Sequence, residues 1–89
     1  MAPRTVRDVI GAPESWPNYR YGGNRMPQLR GAKIRSVRPV DPDELQVTIE
    51  VHGQTVASTF VIGDRDLRLR VQSLLVPGAD LTATLDQQL

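Results

Sequence analysis

The chain reads as a small α+β domain, a three-stranded antiparallel meander near residues 33 to 40, 44 to 52 and 54 to 62 whose apolar face is covered by a helix near 65 to 75. Three observations predict this. Leu45, Val47, Ile49 and Val51 alternate with Gln46, Thr48, Glu50 and His52, the period of a strand with one dry face. His52-Gly53 separates that run from a second one, as a two-residue hairpin turn would. Beyond Gly63 the apolar spacing lengthens to that of a helix, with Leu67, Val71, Leu74 and Leu75 at i, i+4, i+7 and i+8.

The first third is punctuated rather than periodic. Pro3, Pro13, Pro17, Pro27 and Pro39, with Gly11, Gly22, Gly23 and Gly31, forbid a long helix or a central strand there. One short helix fits: Thr5 caps a turn or two carrying Val6, Val9 and Ile10, and Gly11 with Pro13 ends it. Residues 11 to 31 read as a loop. Strand signal starts at Lys33, where Ile34, Val37 and Val40 are β-branched but do not alternate, and where Pro39 removes a donor. An edge strand with a bulge accounts for both features. Asp41-Pro42-Asp43-Glu44 supplies the next turn.

A two-residue turn at His52-Gly53 sets the register of the central hairpin. Val51 then faces Gln54, Ile49 faces Val56, Val47 faces Ser58 and Leu45 faces Phe60, so the large apolar side chains share one face. The following helix takes Asp64 as N-cap and Pro77-Gly78 as its stop, with Asp64 to Arg68 and Asp66 to Arg70 as acid-before-base pairs at i, i+4. A competing pattern exists, since Leu67, Leu69 and Val71 alternate with Arg68 and Arg70 as a strand would. If residues 66 to 72 and 80 to 86 were strands, the chain would close into a small all-β barrel. For the last segment the sequence leaves both states open: Asp80, Leu81, Leu85 and Leu89 suit a helix, Thr82 and Thr84 a strand.

With 89 residues, of which 39% are hydrophobic and 24% charged, the composition is that of one globular domain, 1–89, with a basic, irregular stretch over 1–31 and a core over 32–89. There is no cysteine, so a disulfide framework, a thiolate metal site and a cysteine nucleophile are all excluded. No apolar run approaches the ~18 residues of a membrane span. The N-terminus lacks the apolar stretch of a secretory signal, and the expected setting is the cytoplasm, away from membranes.

The net charge of +1 conceals a polarity along the chain. Residues 1 to 38 hold eight basic and two acidic residues, a net of +6, and residues 39 to 89 hold three basic and eight acidic, a net of −5. Such a division marks a segment that meets polyanions, or one that folds back on its own acidic half.

Catalytic chemistry finds little to work with. His52, the only histidine, sits at the hairpin tip, where tolerance of positive φ explains it without a reaction. Asp41, Asp43 and Glu44 lack the further oxygen ligands and the glycine of a calcium loop. No catalytic residue, metal site or cofactor is expected.

One stretch stands apart. In SWPNYRYGGNRMPQLR, Trp16, Tyr19 and Tyr21 are interleaved with and followed by Arg20, Arg25 and Arg30, and Lys33 and Arg35 lie just beyond. Aromatic faces stack on bases, and arginines pair with phosphate or carboxylate in a forked geometry. A loop rich in both suits a non-enzymatic binding module for an anionic partner, nucleic acid or an acidic protein. Two other readings stand beside it. The rings can wrap the loop onto the core with the arginines reaching outward, and the edge strand around Ile34 to Val40 can pair with a second copy to give a homo-oligomer.

Overall fold

Only β2 is flanked on both sides, and the fold is laid out around it. The computed structural model describes residues 4–16 and 29–89. Within them lie α1 (Val6–Ile10), a short 3-10 turn (Pro13–Ser15), β1 (Lys33–Asp41), β2 (Glu44–Val51), β3 (Gln54–Val61), α2 (Arg65–Leu74) and α3 (Leu81–Leu85). The sheet is antiparallel and open, in the order β1-β2-β3, with helices on one face; it does not close into a barrel.

The central hairpin has the register that its sequence predicts: Val51 opposite Gln54, Ile49 opposite Val56, Val47 opposite Ser58 and Leu45 opposite Phe60. His52 and Gly53 both take positive φ, 49° and 78°, which is the backbone of a type I′ turn. Its twist matches that of the strands, so the pairing starts in phase. Leu45, Val47, Ile49 and Val51 are buried and the residues between them half-buried. Phe60, which the register places on the apolar face, is half-buried at the margin of the core, its ring and that of Trp16 meeting edge to face at a centroid distance of 5.1 Å and an interplanar angle of 61°.

Strand β1 resolves the irregular spacing of its apolar residues by two breaks in register, between Ile34 and Ser36 and between Pro39 and Asp41. The first leaves Arg35 as an extra residue, so that Ile34 pairs with Ile49 and Val37 with Val47 on the core face although three positions separate them. Pro39 pairs with Leu45, whose own backbone groups turn to Phe60. By the alternation of an antiparallel ladder its missing N–H therefore costs β2 nothing. The edge of β1 is not open along its whole length. Ile34 N–H donates to Ala79 C=O at 3.1 Å, its own C=O accepts from Gly78 N–H at 2.7 Å, and Leu81 N–H donates to Ala32 C=O at 3.0 Å. These bonds occupy that edge at Ala32 and Ile34 only.

The competition between helix and strand over 66 to 72 ends in helix α2. Asp64 caps it by accepting from Leu67 N–H at 3.0 Å, Val71 and Leu75 are buried, and Leu69, which a strand would have turned to the core, is 49% exposed. The two expected ion pairs do not form among these residues. Asp64 is engaged at the cap, and the Arg68 guanidinium turns back to the Ile62 carbonyl at 3.0 Å. The last segment is also helical: Asp80 accepts from Ala83 N–H at 3.0 Å, which starts α3, and Leu81 and Leu85 go into the core. Helix α1 is held by a capping box in which Asp8 N–H donates to the Thr5 hydroxyl at 3.3 Å and the Asp8 carboxylate accepts from Thr5 N–H at 3.0 Å. Its stop at Gly11 is as the sequence predicts. Val6 N–H donates to Gln87 C=O at 3.2 Å and Leu89 N–H to Arg4 C=O at 3.0 Å, which ties α1 to the segment after α3. One continuous core joins Val6 and Ile10 of α1, the inner faces of the strands, Val71 and Leu75 near the end of α2, and Leu81 and Leu85 of α3.

Two measurements follow from this packing. Ile49 is fully buried on the central strand, so Ile49→Ala should lower the unfolding free energy by about 2 to 4 kcal/mol in denaturant titration. The Asp8 carboxylate accepts the backbone N–H groups of Arg4 and Thr5, which hold it below the ordinary aspartate range. A carboxylate whose folded pKa lies below its unfolded one contributes stability above the ordinary range, and that contribution is lost as the pH falls through the folded value. Asp8→Asn should therefore flatten the acid limb of the stability curve, as read by denaturant midpoints across acidic pH.

Candidate functional site

The bulge that returns Val37 to the core also sets the charge on the other face, which no described helix covers. With Ile34 and Val37 inward, Lys33 falls opposite Glu50, Ser36 opposite Thr48 and Arg38 opposite Gln46. The extra residue, Arg35, reaches the same face, where its guanidinium lies 3.3 Å from the Glu50 carboxylate. Arg38 donates from Nε to the Gln46 side-chain oxygen at 3.1 Å. Lys33, Arg35 and Arg38 thus form an exposed cationic row along one strand, and in the register positions that face them β2 supplies one carboxylate, Glu50, beside Thr48 and Gln46. Across β2, the same face continues into Thr55, Ala57 and Thr59 of β3.

At its first residue the row opens into a hollow of about 450 Å³, lined by Gly31, Lys33, Arg35, Glu50, His52 and Gly78 among others. Three turns meet there: the one ahead of β1, closed by Ala32 N–H donating to Leu29 C=O at 2.9 Å; the hairpin tip; and the turn whose Gly78 bonds Ile34. A second, more open hollow of about 490 Å³ lies on the other side of Gly31, lined by Arg30, Asp80, Thr82 and Asp86. Exposed Arg30 stands beside it. Asp86 is engaged there by Arg7 at 3.2 Å.

The far end of the sheet carries the opposite charge. In the turn from Asp41 to Glu44, a hydrogen bond with Asp41 raises the Glu44 carboxyl above its usual range, and partial burial and the charges of Asp41 and Asp43 add to the shift. Among the described residues no group of three or more metal-ligating side chains is arranged to hold an ion.

The residues singled out by sequence divide. Lys33 and Arg35 come together at the first hollow, and Arg30 lines the second. Trp16 does not join them: it is 4% exposed, its indole N–H donates to the Ile10 carbonyl at 3.1 Å and its ring packs edge to face with Phe60. The ring is part of the core and offers no face to a base. Tyr19, Arg20, Tyr21 and Arg25 lie outside the described residues. Sequence reading missed Arg38 and the hollow beside His52. The signal for Arg38 was present in the spacing of Ile34, Val37 and Val40, because a bulge that keeps Val37 inside also carries Arg38 to the face of Lys33. The hollow depends on three turns far apart in the chain, and no local pattern announces it.

Because Trp16 is the single tryptophan and a core residue, Trp16→Ala should cost about 3 to 5 kcal/mol of stability by circular-dichroism melting in denaturant. Trp16→Phe, which keeps a ring against Phe60 but leaves the Ile10 carbonyl without its donor, should cost about 1 to 3 kcal/mol.

Among the described residues no helix is long and apolar enough to cross a membrane. Compared with protein-family models, with curated proteins and with solved structures, the chain matches none.

Proposed function

We propose that the protein is a non-enzymatic binding module that holds a polyanion, single-stranded nucleic acid first among them, along the cationic row of β1. One observation carries this reading: the bulge at Arg35 places Lys33, Arg35 and Arg38 on one exposed strand face against a single facing carboxylate. At about 3.3 Å per residue, cations two and three positions apart stand roughly 7 to 10 Å from one another. That spacing lets an extended anionic chain meet them one after another. A protein surface gains affinity for such a chain chiefly by releasing its condensed counterions.

The described part of this face carries no Trp, Tyr or Phe ring, so phosphates rather than bases are its natural contacts, and little dependence on base sequence is expected. Tyr19 and Tyr21 stay in the proposal as stacking residues, with Arg20, Arg25 and Arg30 as further cations. An acidic protein is the competing partner, separated by whether an oligonucleotide displaces it.

Salt dependence tests the reading. Affinity for a labelled oligonucleotide, measured by anisotropy, should fall linearly with the logarithm of salt concentration, and Arg38→Ala should reduce the slope by about 0.7 if it neutralises one phosphate of a single strand. Salt-independent binding, or a slope unchanged in Arg38→Ala, would remove β1 from the contact.

A further inference from the structure

Building on that reading, we infer that the hollow between Lys33, Arg35 and His52 is a site for a terminal phosphomonoester, and that Glu50 is its resident competitor. The hollow lies at the first residue of the cationic row, so a chain lying along β1 would bring an end to it. Its size falls within the range of pockets that enclose a small organic ligand, which is more room than a passing backbone contact requires. Two cations converge on it, and Glu50 already engages one of them, 3.3 Å from Arg35, while standing opposite the other, Lys33, in register.

This arrangement sorts anions by charge. A phosphodiester carries one negative charge, as Glu50 does, so replacing the carboxylate with a diester exchanges one single charge for another and gains little. A phosphomonoester carries close to two charges near neutral pH and has three terminal oxygens. It can face the lysine ammonium and the forked arginine at once, with bonds strengthened by charge on both sides. Both members of the existing pair are substantially exposed, Arg35 at 63% and Glu50 at 41% of the side chain, so Glu50 can swing into water without leaving a buried charge behind. The glutamate keeps the hollow closed to diesters and yields to an end group.

The test compares oligonucleotides of one length and sequence bearing a phosphate at the 5′ end, at the 3′ end, or at neither. One of the phosphorylated forms should bind about tenfold more tightly than the unphosphorylated form, the scale of one hydrogen bond between charged groups. Arg35→Ala should abolish that preference. Arg38→Ala, farther along the row, should weaken all three ligands alike and leave the preference intact. Glu50→Gln should tighten the phosphorylated ligand, because the competitor is gone.

Equal affinity for all three ligands in the unaltered protein overturns the inference while leaving the cationic row standing. Looser binding of the phosphorylated ligand in Glu50→Gln also overturns it, since Glu50 would then be positioning Arg35 rather than competing for it. If no oligonucleotide binds at all, the row's proposed role fails and the hollow is judged on a free nucleoside monophosphate. Binding of that ligand that is lost in Arg35→Ala upholds the site, and no binding ends it.

Discussion

The constraint on which the rest depends is that β2 has no free side except one face. Its backbone is paired to β1 on one edge and to β3 on the other, and its inner residues Leu45, Val47, Ile49 and Val51 are all but inaccessible to water. In a strand so placed, a slip of one residue would expose four apolar side chains and bury four polar ones, so register is strongly determined. The type I′ turn at His52-Gly53 fixes that register from one side. From the other side β1 must adapt, because its own apolar residues are spaced by three. The bulge is the adaptation. It costs the ladder one residue of pairing and returns Val37 to the core.

The cationic row is a by-product of that adaptation before it is anything else. Without the extra residue, strict alternation from Ile34 would put Arg35 and Val37 on the open face and Ser36 and Arg38 on the core face. A buried, unpaired arginine would cost several kcal/mol, so the sequence from Lys33 to Arg38 has one satisfactory solution. That solution gathers Lys33, Arg35 and Arg38 on the side away from the helices. Packing demands alone thus account for where the charges stand. What they do not require is that the charges number three against one facing glutamate.

Where local chemistry decides, sequence and structure agree. Thr5 and Asp64 are read as N-caps from residue type and position, and each accepts the backbone N–H that its place predicts; Asp80 settles as a third cap a segment for which the sequence leaves helix and strand open. The pairing of Ile49 with Val56 follows from a turn of two residues. Agreement fails where distant parts of the chain decide. Arg68 is four residues after Asp64 on the helix, yet the cap has first claim on Asp64 and the Ile62 carbonyl is nearer to satisfaction by the guanidinium. Phe60 alternates like a core residue but lies at the core's margin, where Trp16 completes its cover. Trp16 itself was legible only as one aromatic among three. Whether a ring covers a core or meets a ligand depends on what lies beneath it, here the Ile10 carbonyl and Phe60, and neither is next to it in the chain. The hollow is illegible for the same reason.

The division of charge between the two halves bears on what the basic side is for. Both salt bridges among the described residues, Arg7 with Asp86 and Arg35 with Glu50, join the basic half to the acidic one, as a chain neutralising itself would do. Each is a single contact longer than 3 Å between side chains that are more than a third exposed. Pairs of that kind are worth roughly 0 to 1 kcal/mol and weaken with salt. They are too weak to be the reason the domain holds its shape, which the apolar face of β2 explains. They are also weak enough to be exchanged for a stronger anion at little cost. On the proposed reading, self-neutralisation and binding would be two states of the same cations: Arg35 rests on Glu50 in this structure, and a ligand whose charge exceeds that of one carboxylate would release it.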